Sequence, residues 1–248
     1  MKYKALIVDL DGTTVPAFTH EVHDRVKKAI HLAHDKLFIS VATGRPLELV
    51  KSIIDQIDLT GICVLCNGAQ LYDPVRKEII YENSLTQEET ELIFEQIKDL
   101  QDKFVVFNGF QDKPAVDRQK FPKILNYYAQ DLERKYIEEV EQRMKQFPHL
   151  ATVRLLGTVP EKQSIEITQA NSTKQFGIFE VAKMKNIQTH EIIGIGDGYN
   201  DFPLLMACGL KVAMGNAVPE LKEIADFVIP SVDKDGVAVF IEKFILDL

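Results

Sequence analysis

The chain has 248 residues, of which 46% are hydrophobic and 27% charged, and its formal net charge is -8. This length and composition are typical of a soluble globular protein with one large domain or two smaller ones. The acidic balance argues against nucleic acid and against a membrane surface as partners, since both require a basic surface.

Three further features of the sequence predict a cytoplasmic location. The apolar stretch behind Lys2 and Lys4 breaks at Asp9, which is too early for a signal peptide. No run approaches the roughly 20 apolar residues of a membrane span. Three cysteines, an odd number, suit a reducing compartment. The sequence leaves the oligomeric state open.

Short apolar runs rich in β-branched residues predict β-strands, and segments with helical spacing alternate with them. The predicted strands are KALIV (4–8), LFISVA (37–42), ICVLC (62–66), EIIGIG (191–196), LKVAM (210–214) and DFVIP (226–230). The predicted helices span about 21–35, 46–57, 174–186, 200–208, 218–225 and 236–247. This alternation predicts an α/β fold with a doubly wound, mostly parallel sheet, whose active site lies at the carboxyl ends of the strands.

The stretch 83–170 has a different pattern and predicts an α+β domain inserted into the first one. A hairpin, LYDPVRKEIIYE (71–82), is predicted to lead out of the core. It is followed by predicted helices at 86–101, 121–131 and 133–146 and predicted strands at 104–109, 151–156 and 163–168. Phe121, Tyr127 and Tyr128 would form a packing face of the second helix, and the polar stretch 108–120 has the composition of a mobile loop. We therefore predict a core domain of residues 1–82 plus 171–248 and an inserted domain of residues 83–170.

Polar clusters follow four of the predicted core strands. They are DLDGT with Asp9, Asp11 and Thr13, ATGRP with Thr43, Gly44 and Arg45, CNGA with Asn67 and Gly68, and GDGYND with Asp197, Asn200 and Asp201. Lys174 opens the helix that precedes the fourth of these strands. If the strands are neighbours, the four clusters converge on one edge of the sheet.

The residue types in these clusters indicate phosphoryl chemistry. Several carboxylates without histidine or cysteine suit a hard cation, and magnesium fits because it prefers oxygen ligands and keeps several waters. The Thr43 hydroxyl, the Gly44 amide and the Lys174 ammonium could hold the oxygens of a substrate phosphate. One aspartate of DLDGT can then attack phosphorus, and the other can protonate the leaving oxygen and later take a proton from water.

Four motifs in this order, DLDGT (9–13), ATGR (42–45), Lys174 and GDGYND (196–201), make nearly the whole chain resemble the haloacid dehalogenase-like phosphohydrolases, in particular the Cof-type branch. The resemblance implies a Rossmann-like core with a cap inserted between the second and third motifs. It implies a magnesium-dependent phosphatase that hydrolyses small phosphorylated metabolites, sugar phosphates above all, through an aspartyl-phosphate. Asp9 would be the nucleophile and Asp11 the general acid and base. The magnesium ligands would be Asp9, the backbone carbonyl of Asp11 and Asp197, with Asp201 in support.

The resemblance also implies a phosphoryl-binding site made of Thr43, Gly44 and Lys174, joined by Asn200. Many relatives have glycine directly after the lysine, whereas Gln175 follows here and the nearest glycine is Gly177. Arg45 is interpreted as a neighbour of the site without a catalytic role, and Arg118, Lys120 and Arg154 as exposed residues with a weak claim to substrate contact.

Other interpretations of the same sequence stay open. The DLDG stretch could form only a turn, and Asp197 and Asp201 could only cap a helix. A phosphomutase of the same fold would return the phosphoryl group to a sugar. A phosphorylation-controlled signalling module would use similar acids, a threonine and a lysine, although such modules need only about half this length.

The cysteines and histidines have their own alternatives. Cys63 and Cys66 are three positions apart on a predicted strand, so they point to opposite faces and are interpreted as core residues rather than a metal or redox pair. Four histidines flank the apolar stripe of the first helix and are interpreted as a solvated border rather than a metal site: His20, His23, His31 and His34.

Overall fold

The computed structural model describes residues 2–247. Contacts divide the chain into two compact units, one formed by the chain up to Tyr81 and from Lys174 onward, the other by Glu82–Thr173. The predicted limits, after residue 82 and before residue 171, lie within three residues of these.

The helices and strands fall into three parts along the chain. The first part contains β1 (Ala5–Val8), α1 (Asp24–Ala33), β2 (Phe38–Val41), α2 (Leu47–Gln56), β3 (Cys63–Leu65), β4 (Gln70–Asp73) and β5 (Glu78–Glu82). The middle part contains α3 (Gln87–Gln96), β6 (Val105–Phe107), β7 (Asp112–Pro114), β8 (Asn126–Leu132), α4 (Arg134–Met144), β9 (Leu150–Leu156) and β10 (Gln163–Gln169). The last part contains α5 (Lys174–Lys185), β11 (Ile192–Gly196), α6 (Phe202–Ala207), β12 (Leu210–Ala213), α7 (Pro219–Ile224), β13 (Phe227–Val228) and α8 (Gly236–Phe240), which continues as a π-helical turn over Ile241–Ile245.

A five-stranded sheet in the order β13-β12-β11-β1-β2 forms the centre of the first unit. All four pairs of neighbouring strands in it are parallel. The four residues of β1 are buried, as expected for a strand with apolar side chains on both faces of a covered parallel sheet. Strand order reverses between β1 and β11, and a reversal of this kind opens a crevice at the carboxyl ends of the two strands. The predicted α/β fold with a parallel central sheet is confirmed.

The third predicted strand, β3, continues this sheet only weakly. Val64 forms a single parallel bridge with Ala42, and the Thr43 amide donates to the Val64 carbonyl at 2.9 Å. From there β3 turns back into an antiparallel sheet in the order β3-β4-β5, which contains the predicted hairpin. The loop after β3 is thereby fixed beside the loop after β2.

The second unit has a five-stranded antiparallel sheet of its own in the order β7-β6-β8-β10-β9. A separate hydrophobic core lies within this unit and includes Ile93 of α3, Ile137 of α4 and Ile167 of β10. Helix α3 begins with a capping box, in which the Thr86 side chain accepts from the Glu89 amide and the Glu89 carboxylate accepts from the Thr86 amide. The α+β character predicted for this region is confirmed.

One predicted helix, at residues 121–131, is wrong. Asn126–Leu132 forms strand β8, which pairs with β6 and β10. Tyr127 and Tyr128 therefore point to opposite faces instead of sharing one face of a helix. Tyr127 is buried in the core, where its hydroxyl donates to the Thr90 carbonyl at 2.9 Å. Aromatic residues favour strands, and here pairing with two neighbouring strands decides the conformation.

The segment predicted as a loop, 108–120, contains regular structure. It includes β7 and a 3-10 helix over Ala115–Lys120. The Arg118 side chain is also not exposed as expected, because its guanidinium donates to the Glu91 carboxylate and stacks on the Phe94 ring 3.5 Å from the ring centre.

The described helices are short. The α-helix with the most residues, α5, spans 12 residues, whereas a membrane span needs about 20. Across residues 2–247, no helix has both the length and the apolar character needed to cross a bilayer.

Candidate active site

The loops that follow β1, β2, β3 and β11 meet at one edge of the parallel sheet. Asp9 directly follows β1, and its amide donates to the Ile195 carbonyl of β11 at 2.9 Å. Beside β2, the Asn67 amide donates to the Thr43 carbonyl at 2.9 Å. These backbone contacts hold the loop after β1 beside β11 and the loop after β2 beside the loop after β3.

A buried lysine links two of the aspartates. Lys174 Nζ lies 2.6 Å from Asp9 Oδ1 and 2.6 Å from Asp201 Oδ1, and the three side chains are at most 5% exposed. Lys174 is the first residue of α5. A Cβ atom on Gly177, one turn further along, would lie 2.4 Å from Val64 Cγ1. The glycine therefore lets α5 approach β3 closely, and Gln175 does not prevent the lysine from reaching the site.

Three carboxylates could hold a metal ion together. Asp9, Asp197 and Asp201 each offer one oxygen, and these oxygens lie within 4.8 Å of one another. The Lys174 ammonium supplies one positive charge to three buried acids, and burying carboxylates without a compensating charge is costly. A donor set of oxygens alone with excess negative charge fits a hard divalent cation.

The oxygens of Asp201 and Asp9 are used differently. Asp201 Oδ2 accepts from the amides of Asp197 and Gly198, each at 2.9 Å, while its Oδ1 accepts from Lys174. Asp201 thus shapes the loop after β11 as well as facing the cluster. Asp9 Oδ1 accepts from Lys174, whereas Asp9 Oδ2 accepts no hydrogen bond from residues 2–247. Asp9 Oδ2 is therefore the carboxylate oxygen best able to bind or attack a ligand.

Asp197 is held by two side chains, one on each oxygen. The Thr13 hydroxyl donates to Oδ1 at 3.1 Å, and Asn216 Nδ2 donates to Oδ2 at 3.0 Å. Asn216 Nδ2 also donates to the Gly12 carbonyl at 2.8 Å, and its Oδ1 accepts from the Val232 amide at 2.9 Å. Gly12 has φ +71°, and a Cβ atom there would lie 2.2 Å from Asp197 Oδ2. Asn216 therefore ties the loop of the predicted nucleophile to Asp197.

The charges of the cluster shift its pKa values. Burial raises the pKa of Asp9 well above its usual value, the charge of Asp201 raises it further, and Lys174 opposes both. Burial and the charge of Asp201 raise the pKa of Asp197 to about 7. Burial lowers the pKa of Lys174, but the charges of Asp201 and Asp9 outweigh it and raise that pKa above its usual value. A bound cation would favour the ionised carboxylates and reverse the two acid shifts.

The second aspartate of DLDGT faces a different partner. Both Asp11 oxygens accept from the Arg45 guanidinium, Oδ2 from Nε at 2.7 Å and Oδ1 from Nη2 at 2.5 Å. The Phe18 amide also donates to Asp11 Oδ1 at 2.8 Å. The Asp11 side chain is not one of the three carboxylates of the cluster. Sequence reasoning assigned Arg45 no catalytic role, but Arg45 is the direct partner of Asp11, the predicted acid and base.

The predicted phosphoryl-binding residues lie on the loops after β2 and β11. Thr43 is buried and its hydroxyl oxygen accepts from the Arg45 amide at 3.1 Å, so its own O–H can donate elsewhere. The Gly44 amide donates to no acceptor among residues 2–247. Asn200 Nδ2 donates to Asn67 Oδ1 at 3.1 Å. The structure thus places donors suited to an anion near the end of β2.

Sequence reasoning missed Asn216 altogether, and it placed Arg45 and Asn67 at this edge of the sheet without giving either of them a role. Asn67 has the unusual φ of +52° and joins the loops of Gly44 and Asn200. Asn216 follows β12, the neighbour of β11, at the same carboxyl edge of the sheet. Its position beyond a core strand was the signal that could have identified it.

The cysteine and histidine alternatives are not supported in the described part of the chain. Cys63, Cys66 and Cys208 are buried thiols outside any disulfide, and burial raises the pKa of the Cys63 thiol. His23 pairs with Asp235 at 2.9 Å. Within residues 2–247, the aspartate cluster is the one group of side chains with the geometry of a metal site.

Known proteins match this chain over nearly its full length. A model of the haloacid dehalogenase-like hydrolase family matches residues 6–241. The chain is 26% identical to 5-amino-6-(5-phospho-D-ribitylamino)uracil phosphatase YwtE of Bacillus subtilis, which it matches over 98% of each chain. It is 27% identical to phosphoglycolate phosphatase of Methanopyrus kandleri, over 97% of this chain and 96% of that one. The solved structure of the HAD subclass IIB sugar phosphatase BT4131 superposes with a TM-score of 0.79 at 24% identity, covering 97% of this chain and 98% of that one.

The family match spans most of the chain, and the relatives named above are phosphatases matched over nearly their full length. Three of the four motifs that suggested this family are loops that meet at the edge of the sheet, and the other, Lys174 at the start of α5, contacts Asp9 and Asp201 there. The chain therefore belongs to the haloacid dehalogenase-like hydrolase family and is a phosphatase of its Cof-type branch.

Proposed function

We propose that this protein is a magnesium-dependent phosphatase that hydrolyses small phosphorylated metabolites, with sugar phosphates as its substrate class, through an aspartyl-phosphate on Asp9. The observation that carries the proposal is the buried contact of Lys174 with Asp9 and Asp201, each at 2.6 Å, beside Asp9 Oδ2, which accepts no hydrogen bond from the described part of the chain. The substrate class is supported by the likeness to a sugar phosphatase, and the two curated relatives above act on different phosphate esters.

Asp9, Asp197 and Asp201, with the backbone carbonyl of Asp11, are the residues proposed to hold Mg²⁺. When bound, Mg²⁺ would supply positive charge that lets the substrate phosphate approach the carboxylates. In the proposed first step, Asp9 Oδ2 forms a bond to phosphorus while the bond from phosphorus to the leaving oxygen breaks. Asp11 gives its proton to that leaving oxygen.

In the proposed second step, water attacks the aspartyl-phosphate. Asp11 takes a proton from the water, the new bond from oxygen to phosphorus forms, and the bond to Asp9 breaks, which releases inorganic phosphate. The Thr43 hydroxyl, the Gly44 amide and the Lys174 ammonium are proposed to hold the oxygens of the phosphoryl group through both steps, with Asn200 beside them.

We assign the second compact unit the role of a lid that excludes water and selects the leaving group. The assignment rests on its position as an insertion between the second and third motifs and on its separate sheet and core. We also place the protein in the cytoplasm, in line with its three buried cysteine thiols, which form no disulfide.

The proposal is tested by phosphate release from a broad panel of phosphorylated metabolites, measured with Mg²⁺ and with a chelator. The expected result is Mg²⁺-dependent release from a group of sugar phosphates. If a hexose 1-phosphate instead yields its isomer without free phosphate, the protein is a mutase. A phosphorylated protein that persists for minutes without turnover would indicate a signalling module.

The nucleophile is tested by Asp9→Asn. We expect this variant to lose at least about 1,000-fold in turnover, because the amide cannot attack phosphorus while the shape of the side chain is kept. Acid-quenched wild-type protein incubated with labelled substrate should carry label that hydroxylamine removes, and the variant should carry none. An active Asp9→Asn preparation of verified mass would contradict the mechanism.

A further inference from the structure

The Asp11 carboxylate is held by a complete set of donors that the proposed reaction does not use. Arg45 donates to both oxygens in a bidentate arrangement, at 2.7 Å from Nε and 2.5 Å from Nη2, and the Phe18 amide adds a third hydrogen bond at 2.8 Å. The Asp11 side chain is 32% exposed and the Arg45 side chain 9%. The ion pair is therefore a largely buried contact, with access to solvent on the side of Asp11.

Arg45 itself is fixed from several directions. Its backbone amide donates to the Thr43 hydroxyl oxygen at 3.1 Å, directly beside the proposed phosphoryl site. Its remaining terminal nitrogen, Nη1, lies 3.5 Å from the Leu49 carbonyl in the first turn of α2 and 3.3 Å from His20 Nδ1. A guanidinium anchored in this way presents two N–H donors in a fixed geometry, and this geometry favours one orientation of the carboxylate.

This orientation has a consequence for the reaction. Asp11 Oδ1 accepts from Arg45 and Phe18 and Asp11 Oδ2 from Arg45, so three of the four lone-pair positions of the docked carboxylate are taken, and turning away from Arg45 frees them for proton transfer at the leaving oxygen.

We propose that Arg45 is the positioning residue of Asp11: it fixes the carboxylate in a docked orientation, from which Asp11 turns to the leaving oxygen and to which it returns. Arg45 does not touch the phosphoryl group. The inference rests on the proposed function, because it assigns Asp11 as the acid and base. Loss of Arg45 then slows the steps that need Asp11 and spares phosphoryl transfer to Asp9 when the leaving group needs no proton.

Two substrates separate these steps in Arg45→Met. The first is p-nitrophenyl phosphate, whose leaving group is stable as an anion; the second is the alkyl phosphate that the wild-type protein hydrolyses fastest. The value of kcat/KM reports the steps up to departure of the leaving group. We expect it to fall about 10- to 100-fold for the alkyl phosphate and to stay within about 3-fold for p-nitrophenyl phosphate.

A double-mutant cycle supplies the second readout. If Arg45 acts only through Asp11, the double variant Asp11→Asn/Arg45→Met is no slower on the alkyl phosphate than Asp11→Asn alone. Arg45→Lys keeps the positive charge but loses the bidentate contact, so it should recover part of the activity lost in Arg45→Met. It also provides a second variant to measure if Arg45→Met folds poorly. The matched control is Arg25→Met, because Arg25 forms a similar bidentate pair with Glu242 on the exposed surface, at 3.0 and 2.7 Å.

Three outcomes would overturn the inference. Equal losses on both substrates would mean that Arg45 binds the phosphoryl group or supports the whole site. Additive losses in the double variant would mean that it acts independently of Asp11. Unchanged rates on both substrates would mean that the ion pair has no part in turnover. Failure of the proposed function is distinct, since the wild-type protein would then show no Mg²⁺-dependent release from either substrate.

Discussion

The pKa of Asp197 makes the stability of the folded protein depend on pH, and this dependence can be measured without any substrate. Its pKa of about 7 in the metal-free protein lies above the 3.8 of an unperturbed aspartate. Between these values the folded state binds more protons than the unfolded state, so the free energy of unfolding falls as pH rises from about 4 to 7. Asp9, whose pKa is raised by the same causes, acts in the same direction.

We therefore expect the metal-free protein to lose stability toward neutral pH, and Mg²⁺ to reduce that loss by holding the carboxylates ionised. Urea unfolding at several pH values between 5 and 8, with a chelator and with Mg²⁺, measures both effects. Asp197→Asn removes the titrating group and should flatten the pH dependence of the metal-free protein. An equal slope in this variant and in the wild type would assign the effect to other residues.

The sequence allowed some residues of the site to be predicted and not others. The aspartates and the lysine could be predicted because each directly follows or precedes an apolar run that forms a core strand or helix. Arg45 could not, since its role depends on where the Asp11 side chain points. Asn216 follows a predicted core strand, β12, which marks it as a candidate, but its contact with Asp197 depends on β12 lying beside β11, and strand order is a property of the folded sheet.

At the scale of elements, the contact of α5 with β3 sets the position of Lys174. A Cβ atom on Gly177 would meet Val64 at 2.4 and 3.1 Å, and a packed valine has little freedom to move. Gly177→Ala should destabilise the protein by about 1–3 kcal/mol through overpacking, against roughly 1 kcal/mol of improved helix propensity. It should also lower turnover by displacing Lys174.

The compensating change is Val64→Ala, which makes room for the added methyl group. The pair Gly177→Ala/Val64→Ala should be more active than Gly177→Ala alone, as measured by kcat and by urea unfolding of the four members of the cycle. Additive losses in both quantities would show that the glycine is needed for another reason.

Some strands could be predicted from the sequence pattern and others could not. The apolar runs of β1, β2 and β11 are buried on both faces and bounded by turn residues, so they could be predicted directly. Strand β8 carries buried or partly buried residues on both faces, including Asn126 and Tyr128 opposite Tyr127, and lacks a simple alternation of polar and apolar residues. Its conformation is decided by pairing with β6 and β10, which are distant in the sequence.

At the scale of the whole molecule, the two compact units have separate cores, and all three carboxylates of the cluster belong to the first unit. We expect calorimetry to resolve two unfolding transitions. Mg²⁺ at 100 times its dissociation constant adds about 2.7 kcal/mol to the unit that binds it, which raises that transition by roughly 5–10 °C. The other transition should not move.

The variant Ile167→Ala identifies the second transition, because Ile167 is fully buried in the core of the second unit. The substitution should lower that transition alone. A single transition that shifts with both Mg²⁺ and Ile167→Ala would mean that the two units unfold together.

The conformation of Gly12 has a consequence for the mutational tolerance of the chain. Its φ of +71° disfavours every other residue, and Asp197 Oδ2 occupies the place of a Cβ atom at 2.2 Å. Gly44 differs, since its nearest obstacle is the amide end of the Asn67 side chain, at 3.0 Å. In a saturation library scored for turnover, position 12 should accept glycine alone, while position 44 should retain activity with alanine. Both residues are simply glycine in the sequence, but the structure leaves room for substitution at position 44 during evolution and none at position 12.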